Sequence, residues 1–347
     1  MQVQVLPIND FLLQMGLKKP LLLDTRSEKE FEKAHIPGAI SLPLLNNEQR
    51  HIIGTVYKKE GRQAAVLKGF ELVGPEFHGK IKFVLKEAKD RQVFLYCWRG
   101  GMRSNIMAWL LKMAGLKVVL LEGGYKSFRH WIIEQLNRPL KILILGGKTG
   151  SGKTDLLKMM RSRGEQTIDL EQLASHKGSA FGLLGMPPQP MQEHFENLLG
   201  MEMHLMNETE IVWLENESRG IGKLIIPNAL FESMRLAKVV ELEVSHRERM
   251  DRILKEYCIF PKESLAEHTR RIERRLGGQH MKAALAFLEE DQMEKWLEII
   301  LGYYDKTYAF SNEKRDQSQI HSLSFSWNEV ESGLNNIIQS KNKFQAI

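Results

Sequence analysis

Short apolar runs set apart by longer amphipathic stretches dominate the first 120 or so residues. Leu21–Leu23, Val93–Tyr96 and Val118–Leu121 read as buried strands, because each is a continuous apolar run too short for a helix. Alternation of such strands with helical patterns predicts a parallel α/β sheet. An amphipathic stretch over Lys126–Leu136 stops at Asn137-Arg138-Pro139, and a fresh strand, Leu140–Leu145, starts at once. This break places one domain at residues 1–138 and a second at 139–347. The second begins again as strand, Gly-rich turn and helix, with further strands at Gln166–Asp169, Ile211–Glu215 and Lys238–Val244. Beyond Ser245 the pattern turns helical over Arg247–Tyr257, Lys262–Leu276, Met281–Glu290 and Met293–Tyr304, before a late strand at His321–Phe325.

Composition narrows the class. A chain of 347 residues, 43% hydrophobic and 27% charged, matches an ordinary two-domain globular protein and excludes a disordered one. No apolar run approaches the roughly 18 residues that would span a bilayer, and Met1–Asp10 lacks the basic and apolar segments of a secretion signal. The cysteines, Cys97 and Cys258, are too few for a disulfide framework and point to a reducing, cytoplasmic setting. A net charge of +6 is compatible with a polyanionic partner without requiring one.

Two segments carry chemistry. Gly147-Lys148-Thr149-Gly150-Ser151-Gly152-Lys153-Thr154 fits G-x-x-x-x-G-K-[ST], follows a strand and opens a helical pattern. Gly147, Gly150 and Gly152 permit a tight loop whose N–H groups converge on phosphate oxygens, Lys153 neutralises their charge, and Thr154 can hold Mg²⁺. Such a cradle accepts a nucleoside triphosphate or any other diphosphate. Ile211–Glu215 ends in a carboxylate suited to an ion or a water, with Glu217 and Arg219 close behind, while Asp169 closes the preceding strand at the ligand-binding edge. His176 and Lys177 follow within reach of the phosphate site. No Cys/His cluster has metal-ligand spacing, so no resident metal and no tightly bound cofactor is expected beyond Mg²⁺ at Thr154.

Tyr96-Cys97-Trp98-Arg99-Gly100-Gly101-Met102-Arg103-Ser104 places a thiol at the mouth of an anion-binding loop. Freed glycine amides, the following helix N-terminus, Arg99 and Arg103 all favour a thiolate at Cys97. Cys97 to Arg103 spells C-x-x-x-x-x-R, the spacing of cysteine phosphatases; rhodanese-type sulfurtransferases use a similar loop, commonly one residue shorter, to hold a persulfide. Leu23-Asp24-Thr25-Arg26, Glu30-Phe31, His35-Ile36-Pro37-Gly38-Ala39 and Leu121-Glu122-Gly123-Gly124 resemble the rhodanese fold, which some phosphatases share.

A rhodanese-like domain joined to a P-loop domain resembles the tRNA 2-selenouridine synthase family. The likeness extends through Gly54–Lys58, Gly123–Lys126, Asp169-Leu170-Glu171, His176–Gly182 and Trp213–Gly222, with Asn216 and Gly220 standing where an acidic and a basic residue would be expected. It implies an α/β rhodanese-like domain followed by a P-loop domain with a helical C-terminal part. It also implies a two-stage exchange at the wobble base of tRNA: geranyl diphosphate alkylates the 2-thiouridine sulfur, and selenium from selenophosphate then displaces the geranylthio group. Cys97, Arg99 and Arg103 would serve the selenium stage, Cys97 either carrying selenium as a perselenide or assisting its delivery. For the tRNA, Arg270, Arg271, Arg274 and Arg275 lie near the end of one helix and could contact phosphates, with Arg247, Arg249 and Arg252 as a second group. Tyr303, Tyr304 and Tyr308 could stack on bases, although packing suits them better. The alternatives are a cysteine phosphatase fused to a kinase-like domain, and a non-catalytic tRNA-binding module.

Overall fold

The computed structural model describes residues 3–89, 92–312 and 315–344. The chain divides into two compact units, Met1–Gln135 with Glu196–Met201, and Leu136–Phe195 with Glu202–Ile347. In the first, β1 (Gln4–Leu6), β2 (Leu21–Asp24), β3 (Ile40–Ser41), β4 (Val93–Tyr96) and β5 (Val118–Leu121) form a parallel sheet in the order β1-β5-β4-β2-β3. Every residue of β2, β4 and β5 is buried. These three strands are apolar without alternation because helices cover both sides of a parallel sheet. Leu21, Leu23, Val93, Leu95 and Leu120 share one core with Val84, Met107 and Leu111 from the flanking helices. The edge strands, β1 and β3, are only three and two residues long and leave no periodic trace in the sequence. Helices Asn47–Glu60 and Arg62–Val73 meet at Gly61, whose φ of 86° needs a residue without Cβ.

In the second unit, β6 (Lys141–Gly147), β7 (Gln166–Ile168), β8 (Ile211–Glu215), β11 (Lys238–Glu243) and β12 (Ile320–Ser324) form a parallel sheet in the order β12-β11-β6-β8-β7. A small antiparallel pair, β9 (Gly220–Ile221) and β10 (Leu224–Ile225), lies outside it. Residue Leu145 pairs with Glu215, so the carboxyl end of β8 is brought directly beside the loop that leaves β6. After β11 come the helices His246–Tyr257, Lys262–Arg270, Glu273–Leu276, Gly278–Glu289 and Met293–Asn312, packed around Phe181, Leu265, Leu288 and Trp296.

One expectation fails here. Lys262–Leu276 is not one helix but two, separated at Arg271–Ile272. The buried Thr269 hydroxyl donates back to Leu265 O at 2.7 Å and accepts the Trp296 indole N–H at 3.1 Å. Around it the N–H groups of Arg271 and Ile272 turn to carbonyls three residues back, which tightens and ends the helix. Gly277, at φ 86°, closes the second piece, and Gly278 opens the next helix. Among the described residues no helix is long and apolar enough to cross a membrane.

Candidate functional site

The cysteine loop begins where β4 ends. Cys97 is buried, and its sulfur accepts the Gly101 N–H at 3.2 Å and the Ser104 hydroxyl at 3.2 Å. Both donors come from the loop and from the first turn of helix Met102–Met113, an arrangement suited to sulfur that bears negative charge. A second strand-to-helix turn supports the loop from below. Tyr125 N–H donates to Cys97 O at 2.7 Å, and Lys126 N–H to Trp98 O at 2.9 Å. Gly124, at φ 61°, passes so close that a Cβ would collide with Cys97 O and Gly100 N and come within 3.0 Å of Arg99 N. All three of those atoms are backbone and cannot rotate away. Gly124→Ala therefore combines left-handed strain with overpacking, about 2–5 kcal/mol together. A clear fall in the melting temperature of the first unit is expected, and unchanged melting would contradict this account.

Behind the loop, Asp24 and Arg26 form a fully buried pair at 2.6 Å, and the Arg26 guanidinium lies 3.8 Å from the centre of the Tyr125 ring. The Tyr96 hydroxyl accepts the Ile36 N–H at 3.1 Å. These contacts explain why Asp24-Thr25-Arg26 and His35-Ile36-Pro37 accompany the cysteine: they hold β2 and β4 in place beneath it. The two expected arginines differ. Arg99 is exposed, whereas Arg103 is half-buried and gives its guanidinium to Glu30 at 2.7 Å. Burial alone would raise the Glu30 carboxyl, but bonds from Arg103 hold it below its ordinary range. Arg103 thus anchors the helix after the loop.

In the second unit Gly147, Gly150 and Gly152 all have positive φ, at 146°, 83° and 85°. Lys153 Nζ reaches back to Gly147 O at 2.8 Å, and the Gly147 N–H donates to the Tyr308 hydroxyl at 2.7 Å. Tyr308 in turn donates to Glu241 at 2.6 Å. The buried Arg249 grips Asp305 through both amino groups at 2.8 and 2.7 Å and donates to Thr149 O at 3.1 Å. Trp327 lies against Gly152 and donates to Ser151 O at 3.1 Å. Distant residues therefore brace the loop on several sides, and local sequence gave no sign of them.

Beneath the loop the Thr154 hydroxyl donates to Glu215 at 2.6 Å and lies 3.2 Å from Glu171. Glu171, Glu215 and Glu217 bring carboxylate oxygens within 4.8 Å of one another. Gly178, at φ 65°, packs directly on Glu171 and Glu217. Burial first, then the neighbouring carboxylates, pushes Glu171 and Glu217 up to about 8 and Glu215 well above its usual range. One Glu215 oxygen is buried without a hydrogen-bond partner. Three carboxylates, that of Glu215 with one orphaned buried oxygen, and a hydroxyl fit a hard divalent cation such as Mg²⁺. Thr154, Glu171, Glu215 and Glu217 would hold it. Cysteine and histidine spacing could not have revealed this cluster, because its carboxylates come from separate strand ends.

These raised values fix a pH dependence. A carboxyl that titrates at about 8 when folded and at 4.5 in its ordinary state binds its proton more tightly in the folded protein. Its contribution to stability is full below 4.5 and is lost as pH rises through about 8. Divalent cation displaces those protons. Melting temperature without Mg²⁺ should fall between pH 5 and pH 8.5, and the rise on adding Mg²⁺ should grow over the same interval. Equal rises at both ends would refute the assignment.

Other expected residues lie elsewhere. Asp169 accepts the Gln172 N–H at 2.8 Å and caps the helix Leu170–Ala174, while its second oxygen is buried without a partner near the cluster. Arg219 is exposed and donates to Asn228 at 2.7 Å. His176 is wedged against Gly182 and Gly222, and Lys177 pairs with Glu256. Of the second arginine group, Arg249 is buried in the loop support, and Arg252 pairs with Asp155 and stacks 3.6 Å over Trp327, so both turn inward instead of toward a nucleic acid. Arg270, Arg271, Arg274 and Arg275 are all exposed but straddle the helix break, and Arg271 is held by Glu267 at 2.7 Å. Tyr304 accepts the Ala180 N–H, so like Tyr308 it serves packing.

The fold and sites define a two-unit α/β protein with one anion loop built around sulfur and another built for phosphate. Residues 8–130 match the rhodanese-like domain, and residues 140–340 match the tRNA 2-selenouridine synthase AAA domain. Proteins called tRNA 2-selenouridine synthase are similar over nearly the whole length. That of Sulfurovum sp. is 34% identical, covering 90% of this chain and 94% of its own. That of Pseudomonas fluorescens is 34% identical over 85% and 89%, and that of Shewanella denitrificans 33% over 91% and 86%. The chain belongs to the tRNA 2-selenouridine synthase family of enzymes.

Proposed function

We propose that this enzyme converts 2-thiouridine at the wobble position of tRNA to 2-selenouridine, through an S-geranyl intermediate. What carries the proposal is the presence in one chain of a P-loop over an acidic cluster and a cysteine held by loop donors. Such a pair suits one substrate that leaves as diphosphate and another that delivers a selenium anion.

In the first stage the thiouridine sulfur attacks C1 of geranyl diphosphate. A carbon–sulfur bond forms, the carbon–oxygen bond breaks, N3 of the base loses its proton, and diphosphate departs. Loop amides, Lys153 and Thr154 stabilise the charge that develops on it. Mg²⁺, when bound, would add further neutralisation of that charge. Alkylation turns a poor leaving group into one that departs as a thiolate.

In the second stage hydrogen selenide attacks C2 and expels geranylthiolate. Its proton ends on N3, and the thiolate takes one from water. Joining selenide to the Cys97 sulfur would be a two-electron oxidation, and none of these substrates is an oxidant. Phosphoryl transfer balances instead. The Cys97 sulfur attacks phosphorus of selenophosphate, the phosphorus–selenium bond breaks, and selenide leaves with the thiol proton; water then cleaves the sulfur–phosphorus bond to give phosphate. The C-x-x-x-x-x-R spacing suits a loop that handles a phosphoryl group. For the tRNA, the exposed Arg270, Arg271, Arg274 and Arg275 are the phosphate contacts we favour.

Mass spectrometry of nucleosides tests the whole reading. Tracts of 2-thiouridine tRNA incubated with geranyl diphosphate alone should yield geranylthio-uridine, and further addition of selenophosphate should yield selenouridine. Unchanged thiouridine with both would sink the proposal, and release of phosphate from aryl phosphates would then favour the phosphatase alternative.

A further inference from the structure

The first unit contains an apolar cavity that neither stage, as described, uses. It measures about 330 Å³ and is lined by Leu44 and by Ile53, Val66, Phe70, Met102 and Ile106, the last five from the helical hairpin Asn47–Val73 and the start of the helix that follows the cysteine loop. Three large apolar side chains at it, Tyr57, Phe70 and Met102, are 59%, 45% and 48% exposed. Apolar surface left open at one spot marks a place where a ligand or partner binds.

Three observations identify the occupant. First, size: an apolar cavity of about 150 Å³ holds benzene, with six carbons, so ten carbons need about 250 Å³. Second, position: Met102 and Arg103 line the cavity, and the N–H of their neighbour Gly101 donates to the Cys97 sulfur. Third, charge: Leu45, Ile53, Tyr57 and Arg103 are shared with an adjoining open groove of about 800 Å³. Among the described residues that groove is lined by Lys29, Arg50, His51 and Lys58 and by no carboxylate, Glu30 reaching Arg50 from outside it at 3.3 Å. Its cations suit nucleotide phosphates. An anionic chain carrying one ten-carbon apolar arm, its point of attachment near Cys97, meets all three.

We propose that this cavity receives the geranyl chain of the S-geranylated tRNA base during the selenium stage, holding C2 toward the cysteine loop. The inference rests on the two-stage reading above and adds where the intermediate is recognised. It also gives the alkyl group a second purpose, as a handle that selects activated base over unreacted thiouridine.

The test uses the full chain and synthetic anticodon stem-loops bearing S-methyl, S-prenyl (five-carbon) or S-geranyl 2-thiouridine. Wild-type affinity should rise about a hundredfold from S-methyl to S-geranyl. Val66→Trp, which fills the cavity, should flatten that series while binding the S-methyl stem-loop as wild type does, which shows that it is folded. It should still form geranylthio-uridine from geranyl diphosphate, and selenation of the S-geranyl stem-loop should fall at least tenfold. A wild-type series with no dependence on chain length, or one that Val66→Trp leaves intact, overturns the proposal. Loss of geranyl transfer in Val66→Trp also overturns it and makes the cavity the donor's site. A wild type that selenates a supplied S-geranyl stem-loop but never makes one would overturn the two-stage reading alone.

Discussion

Cys97→Ser is expected to stop the enzyme halfway. Geranylthio-uridine should accumulate on the tRNA while selenouridine falls by roughly 10³–10⁶-fold, the range over which removal of a nucleophile acts. The expectation follows from what surrounds the sulfur. Gly101 N–H and the Ser104 hydroxyl both address it at 3.2 Å, and serine keeps an acceptor there for both. Tyr125 and Lys126 hold the loop through the carbonyls of Cys97 and Trp98, which serine retains. The variant should therefore fold, bind tRNA and lack only the nucleophile. Serine oxygen is far less ionised than a thiol near neutral pH, so the smaller atom does not restore the step. Equal loss of both products would show that Cys97 supports the first stage too, and the division of labour proposed here would fail.

Lys153→Ala should give the opposite pattern. Neither geranylthio-uridine nor selenouridine should form from 2-thiouridine tRNA, with the first stage slowed by roughly 10²–10³, as when one stabiliser of developing charge is removed. Supplied S-geranyl tRNA should nonetheless be selenated at the wild-type rate. In the absence of substrate Lys153 spans the loop to Gly147 O at 2.8 Å, and its charge lowers the carboxyl groups of Glu171, Glu215 and Glu217. Alanine removes both the cation that meets diphosphate and the charge that moderates the cluster. Wild-type geranylation by Lys153→Ala would remove the P-loop from the first stage.

Much of the molecule is legible in its sequence. Val93–Tyr96, Val118–Leu121 and Ile211–Glu215 occupy the very residues their patterns predicted. Both chemical loops announced themselves as well, because glycine and cation spacing within one strand-to-helix turn is a local property. The helical hairpin that lines the apolar cavity was not foreseen: in Asn47–Glu60 the apolar Ile52, Ile53, Val56 and Tyr57 span less than two turns, and the one buried residue of the helix is the polar Gln49. The arginines divide for a related reason. Charge says nothing about direction, so Arg249, buried against Asp305, reads the same in sequence as the exposed Arg274.

Sequence alone determined which atoms are available for chemistry, a thiol in one glycine loop and an ammonium in another, together with the order of strands and helices around them. Those are short-range matters of backbone freedom and apolar periodicity. Tertiary structure decided everything that needs two distant segments to meet. Strand β8 lies beside β6 and so carries Glu215 to Thr154, Gly124 closes on the backbone of Cys97, and Tyr308 satisfies the amide of Gly147. Each of these depends on sheet order and chain packing, which no local pattern encodes, and each converts a loop that could bind an anion into one that is held ready to do so.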